Sequence, residues 1–170
     1  MAAPVFLADE SPTADQVNDW MVNVTFARKT GTQSIPSSTA LQNDSQLVVP
    51  VKANAIYQMD ALLLYDGDAA GDLQMGWSAP SGATLDYSAM GLHVLAGGYN
   101  DDQTACFNLS ASAPSLGAIG AGTTCAGRLF GLLVMGGTGG NLQFRWAQRT
   151  AHATPTRVFA NSFLSLRRLS

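Results

Sequence analysis

Asp60, Asp66, Asp68, Asp72, Asp86, Asp101 and Asp102 are the residues of this chain whose type and clustering invite catalysis or cation binding. Paired carboxylates on adjacent loops do general acid and base work in glycosidases. Asp66, Asp68 and Asp72 also share one short segment, which suggests calcium. Each of these aspartates nevertheless stands in turn context, where the residue is favoured for its local hydrogen bonds to backbone. The helix-loop-helix calcium pattern fails as well: Ala70 stands where a third ligand belongs, and Trp77 where the closing glutamate should be. The expectation is a solvated hairpin loop over Asp66 to Asp72, with no metal site and no catalytic residue.

Nucleophilic chemistry has little to work with. His93 and His152 are the only imidazoles, and no serine sits in a Gly-x-Ser-x-Gly elbow. Cys106 and Cys125 bracket a loop rich in glycine and serine; a single disulfide and two free thiols both remain open, with free thiols the favoured reading. Neither histidine has the spacing to complete a zinc site with them. Gly136 to Gly140 is glycine-rich enough for a phosphate loop, but no lysine follows it and the next segment reads as a strand. Trp77, Trp146 and Tyr57 alternate with aliphatic residues, which places them in a core rather than on a sugar-stacking platform. No cofactor is expected.

The elements that must position these residues are strands. Leu142, Phe144 and Trp146 alternate with Gln143, Arg145 and Ala147, the period of a strand with one buried face. Leu129 to Met135 is almost wholly apolar, as in a strand covered on both faces. With four glycines between them, the two arms read as one hairpin spanning 127 to 149. Tyr57 to Tyr65 and Leu73 to Ala79 read as a second hairpin, with Tyr57, Met59, Ala61, Leu63 and Tyr65 on one face. Strands are also expected over Met21 to Arg28, Leu47 to Val51, Thr84 to Tyr87, Cys106 to Leu109 and Val158 to Leu166, with Pro50 favouring an edge or a strand end. The result is an all-β domain of eight to ten strands, a sandwich or a jelly roll rather than a barrel.

Charged residues make up only 12% of the chain, about half the usual share, so the surface is unusually neutral. All twelve acids precede residue 103, and Arg128, Arg145, Arg149, Arg157, Arg167 and Arg168 follow it with no acid among them. These arginines need partners from the first part of the chain or from another copy. They alternate along strands without clustering, which argues against nucleic acid. There is no basic, apolar signal peptide at the N-terminus and no apolar run long enough for a membrane span, so a cytoplasmic origin and no membrane partner are expected. Residues 1–20 read as an N-terminal arm, with a helical turn starting at Pro12, ahead of a single domain over 21–170. Val5, Phe6, Leu7 and Trp20 are costly to leave in water and are the candidate partner-binding residues.

Arg28-Lys29-Thr30, Leu47 to Tyr57, Gly131 to Gly140, Arg145 to Gln148 and the ending Leu164 to Arg168 form a run of phrases in a familiar order. Over about 28 to 168 the chain resembles a module that recurs in virion structural proteins of tailed bacteriophages infecting actinobacteria, among capsid decoration and tail-associated proteins. The resemblance implies a jelly-roll-like antiparallel β-sandwich, usually assembled as a homotrimer, without catalytic residues. It further implies a virion location, on the capsid surface with the major capsid protein as partner, or alternatively at the tail tip or tail fibre recognising host cell-wall glycan.

Overall fold

The computed structural model describes residues 23–94, 102–111 and 114–170, together with residues 11 and 13. None of these residues is helical. The strands are β1 (Val24–Arg28), β2 (Gln33–Ile35), β3 (Gln42–Val51), β4 (Ile56–Asp66), β5 (Leu73–Ser78) and β6 (Thr84–Leu92), followed by β7 (Asp102–Asn108), β8 (Ser115–Leu116), β9 (Cys125–Val134), β10 (Gly140–Gln148), β11 (Thr156–Val158) and β12 (Phe163–Arg168). Apart from residues 11 and 13, the arm over 1–20 lies outside the described residues, and with it its helical turn and Val5, Phe6, Leu7 and Trp20.

Two antiparallel sheets face each other. One runs β1-β12-β4-β9-β6-β7, with β11 pairing both the end of β4 and β2; the other runs β3-β10-β5-β8. The pairings β3 with β10, β4 with β9, β5 with β8 and β6 with β7 trace one long antiparallel ribbon that reverses between β6 and β7. Rolling that ribbon up puts successive pairs in alternate sheets, which is a jelly roll. The strands β1 and β12 then extend the larger sheet beyond β4.

This topology corrects both expected hairpins. The strands β9 and β10 lie in opposite sheets, as do β4 and β5. Their glycine- and aspartate-rich connections carry the chain across the sandwich. Periodicity identifies a strand and its buried face, but the pairing partner is set by contacts distant in sequence: β9 sits between β4 and β6, while β10 sits between β3 and β5. The expected last strand is broken as well, because Asn161 adopts a positive φ of 71° and turns the chain between β11 and β12. The edge position expected for Pro50 is found, since β3 bounds the smaller sheet.

Inward-facing residues form one core. Tyr57, Met59, Ala61, Leu63 and Tyr65 from β4 meet Leu142, Phe144 and Trp146 from β10, all buried. Trp77 packs edge-on against Tyr87 at 6.1 Å and Phe144 at 5.2 Å, tying the two sheets together through aromatic contacts. Gly131 marks a place where no side chain fits: a Cβ there would lie 2.2 Å from the Asp86 carbonyl oxygen and 2.7 Å from the Tyr87 Cα.

Candidate functional site

Asp66 and Asp72 turn inward to cations and backbone amides, whereas Asp60, Asp68 and Asp86 are half-buried or exposed, and Asp101 and the side chain of Asp102 lie outside the described residues. Asp66 is fully buried and receives both Nε and Nη2 of Arg157, the Nε contact at 2.8 Å, together with the Gly122 amide at 2.7 Å. The Asp72 carboxylate accepts the Ala118 amide at 3.0 Å and lies 3.7 Å from Arg149. Burial raises the pKa of Asp72, and the Ala118 amide and Arg149 counter that rise. Asp68 accepts the Ala70 amide and stands 3.8 Å from His152. Contrary to the expectation of a solvated hairpin loop, Asp66 and Asp72 are buried, because arginines from the acid-free end of the chain reach back to them. Among the described residues no group of three potential metal ligands forms.

Other nucleophile candidates stay apart. Cys106 is exposed beside Ser88, Cys125 is buried, and both are free thiols. Burial raises the pKa of Cys125, which keeps it a poor nucleophile. Trp77, Trp146 and Tyr57 are core residues, as expected.

Sequence reasoning missed the most enclosed charged cluster. Lys29, just after β1, is 1% exposed, and its Nζ donates to Asp44 Oδ2 at 2.6 Å. The same carboxylate accepts Trp146 Nε1 at 3.1 Å and the amides of Gln46 and Leu47 at 2.9 Å each. Four donors satisfy the carboxylate, so a charge pair between the edge of one sheet and the other persists inside the sandwich. The only hint in the sequence is the lysine directly after a strand.

The surface with unspent interaction capacity is the outer face of the larger sheet. Register fixes its outward side chains in rows: Val24, Arg167, Gln58, Leu132, Asp86 and Asn108; then Phe26, Ser165, Asp60, Phe130, Ser88 and Cys106; then Arg28, Phe163, Leu62, Arg128, Met90 and Thr104. Phe130, Leu132 and Val134 on central strand β9 are 41%, 44% and 36% exposed, and Phe26, Val24 and Met90 are more than a third exposed as well. This overturns the expectation that β9 is covered on both faces. Its apolar run reflects one side buried in the core and the other turned to the surface. An open groove of about 710 Å³ runs beside Phe130 and Leu132, with Gln58, Asp86, Ser88 and Asn108 on its walls. Arg128 pairs with Asp60 at 2.9 Å across the face, and Phe26 leans on Phe163 at 5.6 Å.

No protein-family model and no curated protein matches the chain. Among solved structures the chain is similar to one described as the structure of the tripod (BppUct-A-L) from the baseplate of bacteriophage Tuc2009. The match has a TM-score of 0.31 and 15% identity, and it spans 98% of this chain and 74% of that one. A likeness at this level carries no argument about activity or partners, so the functional reading rests on the residues themselves.

Proposed function

We propose that this chain is a non-enzymatic structural protein of a tailed-bacteriophage virion: a capsid decoration protein, assembled as a homotrimer, that binds the outer surface of the major capsid protein shell and stabilises it. The observation that carries the reading is the exposed apolar strip of Phe130, Leu132 and Val134 at the centre of a sheet face, on a chain poor in surface charge. Contiguous apolar surface of this kind marks a contact face. The carboxylates that suggested catalysis are instead engaged by arginines of the same chain, Arg157 on Asp66, Arg149 beside Asp72 and Arg128 on Asp60. The phrase resemblance over 28 to 168 supports a virion role.

In this reading the sheet face is covered within the assembly, and residues 1–20, with Val5, Phe6, Leu7 and Trp20, supply the attachment to the shell. Many weak contacts repeated over a symmetric shell hold such a protein in place through multivalency. Deleting residues 1–20 is expected to remove the protein from purified particles while its thermal unfolding stays cooperative. Normal occupancy of the truncated protein would refute the role of the arm. Direct binding of the isolated protein to host cell-wall glycan would instead favour a tail-tip role.

A further inference from the structure

We infer that the outer face of the β1-β12-β4-β9-β6-β7 sheet is occupied by other copies of this chain, with the β12 side of one copy packed on the β6 side of the next. The inference rests on the reading of this face as an assembly surface, and it names the partner. Two observations support it, the first being that, apart from the Arg128–Asp60 pair, the centre of the face on β9 is apolar, with an exposed arginine on the β12 side and an exposed aspartate on the β6 side. Arg167 on β12 and Asp86 on β6 lie in the same register row, two strands to each side of the β4–β9 junction counted inclusively. Neither has an ion-pair partner among the described residues. The face thus carries both halves of a complementary pair, so that in a head-to-tail contact Arg167 of one copy meets Asp86 of the next, and each copy's own Asp86 is left for the copy before it.

The second observation is that apolar groups match under the same superposition. In the next row but one, Phe163 on β12 and Met90 on β6 occupy the equivalent flanking positions, so the contact that joins Arg167 to Asp86 also joins Phe163 to Met90. The strip of Phe130, Leu132 and Val134 falls between these flanks. A head-to-tail contact of this kind closes into a ring when the rotation permits, and in a three-membered ring about an axis along the strands the β9 strips of all copies meet at the centre.

The test is light scattering on the isolated full-length protein, which reads self-association separately from binding to particles. The wild type is expected near 53 kDa, three times the chain mass of 17.8 kDa. Phe130→Asp is expected to raise the dissociation constant by at least about 100-fold, since it places a carboxylate at the centre of the contact beside Asp60. Arg167→Asp and Asp86→Arg should each weaken assembly by about tenfold, and the two together in one chain should restore it. Circular dichroism checks that each variant is folded, and the rescue keeps the test decisive even if Phe130→Asp does not fold. A wild type that is monomeric at 50 μM (a dissociation constant roughly ten-thousandfold or more above the nanomolar range of a stable interface), or a doubly reversed chain that fails to recover, would overturn the inference. So would a monomer that associates only after residues 1–22 are removed, because the chain's own N-terminal segment would then be the occupant.

Discussion

Replacing Lys29 with methionine keeps the length and the apolar stem of the side chain and removes only the ammonium. Asp44 would retain Trp146 Nε1 and the amides of Gln46 and Leu47, but its carboxylate, fully buried, would lose its one cation. Removing one partner of a buried ion pair costs about 3–5 kcal/mol because the remaining charge is left uncompensated. That is a large part of the about 5–15 kcal/mol that stabilises a typical domain, and for a chain of this size it corresponds to a fall in Tm of about 10 °C. Urea unfolding followed by tryptophan fluorescence is the assay, at one protein concentration throughout because assembly also contributes to stability. Asp68→Asn is the control: it alters a 3.8 Å contact with His152 that is more than a third exposed on both sides, and leaves an oxygen to accept the Ala70 amide. It should cost about 0–1 kcal/mol. A loss below about 1 kcal/mol for Lys29→Met, or one no larger than the control, would refute the view that this cluster ties the two sheets together.

Gly131→Ala is expected to destabilise by about 3 kcal/mol or more, since its Cβ would meet backbone rather than the end of a flexible side chain; the yield of folded protein and the urea midpoint check it. Asp72→Asn should stabilise the fold modestly at pH 7. Because burial raises the folded pKa of Asp72 above the unfolded value near 4, wild-type stability from this group is full below about pH 4 and declines as the pH rises through the folded value, so the advantage of the variant disappears in acid. Parallel thermal melts from pH 3 to 7 would show the convergence. Cys125 should stay unreactive toward a thiol reagent until denaturant is added, and two thiols per chain should then titrate, since both cysteines are free and Cys125 is buried. A titre of zero in denaturant would mean a disulfide.

Alternation along β4, β5 and β10 made their buried faces legible, down to Tyr57, Met59, Trp77 and Trp146, because a two-residue period encodes one-sided burial directly. What the same pattern cannot encode is which strand lies beside which. Short glycine-rich connections after β4 and β9 looked like hairpin turns, yet each crosses from one sheet to the other, a choice made by ribbon pairing between residues as far apart as Gln42 and Trp146. The exposed face was hidden for a related reason. Phe130, Leu132 and Val134 are as apolar as the core residues between which they sit, so composition could not separate a contact surface from an interior. Asp66 and Asp72 misled in the opposite direction: their turn context was real, but the arginines that draw them inward lie about 80 to 90 positions downstream.

The most direct test of the proposed role is an image of the purified virion at a resolution that places this chain. Many copies on the outside of the capsid shell, grouped in threes with the β9 strips turned toward one another and residues 1–20 against the major capsid protein, is the expected result. Three or six copies confined to the tail tip would contradict a decoration role.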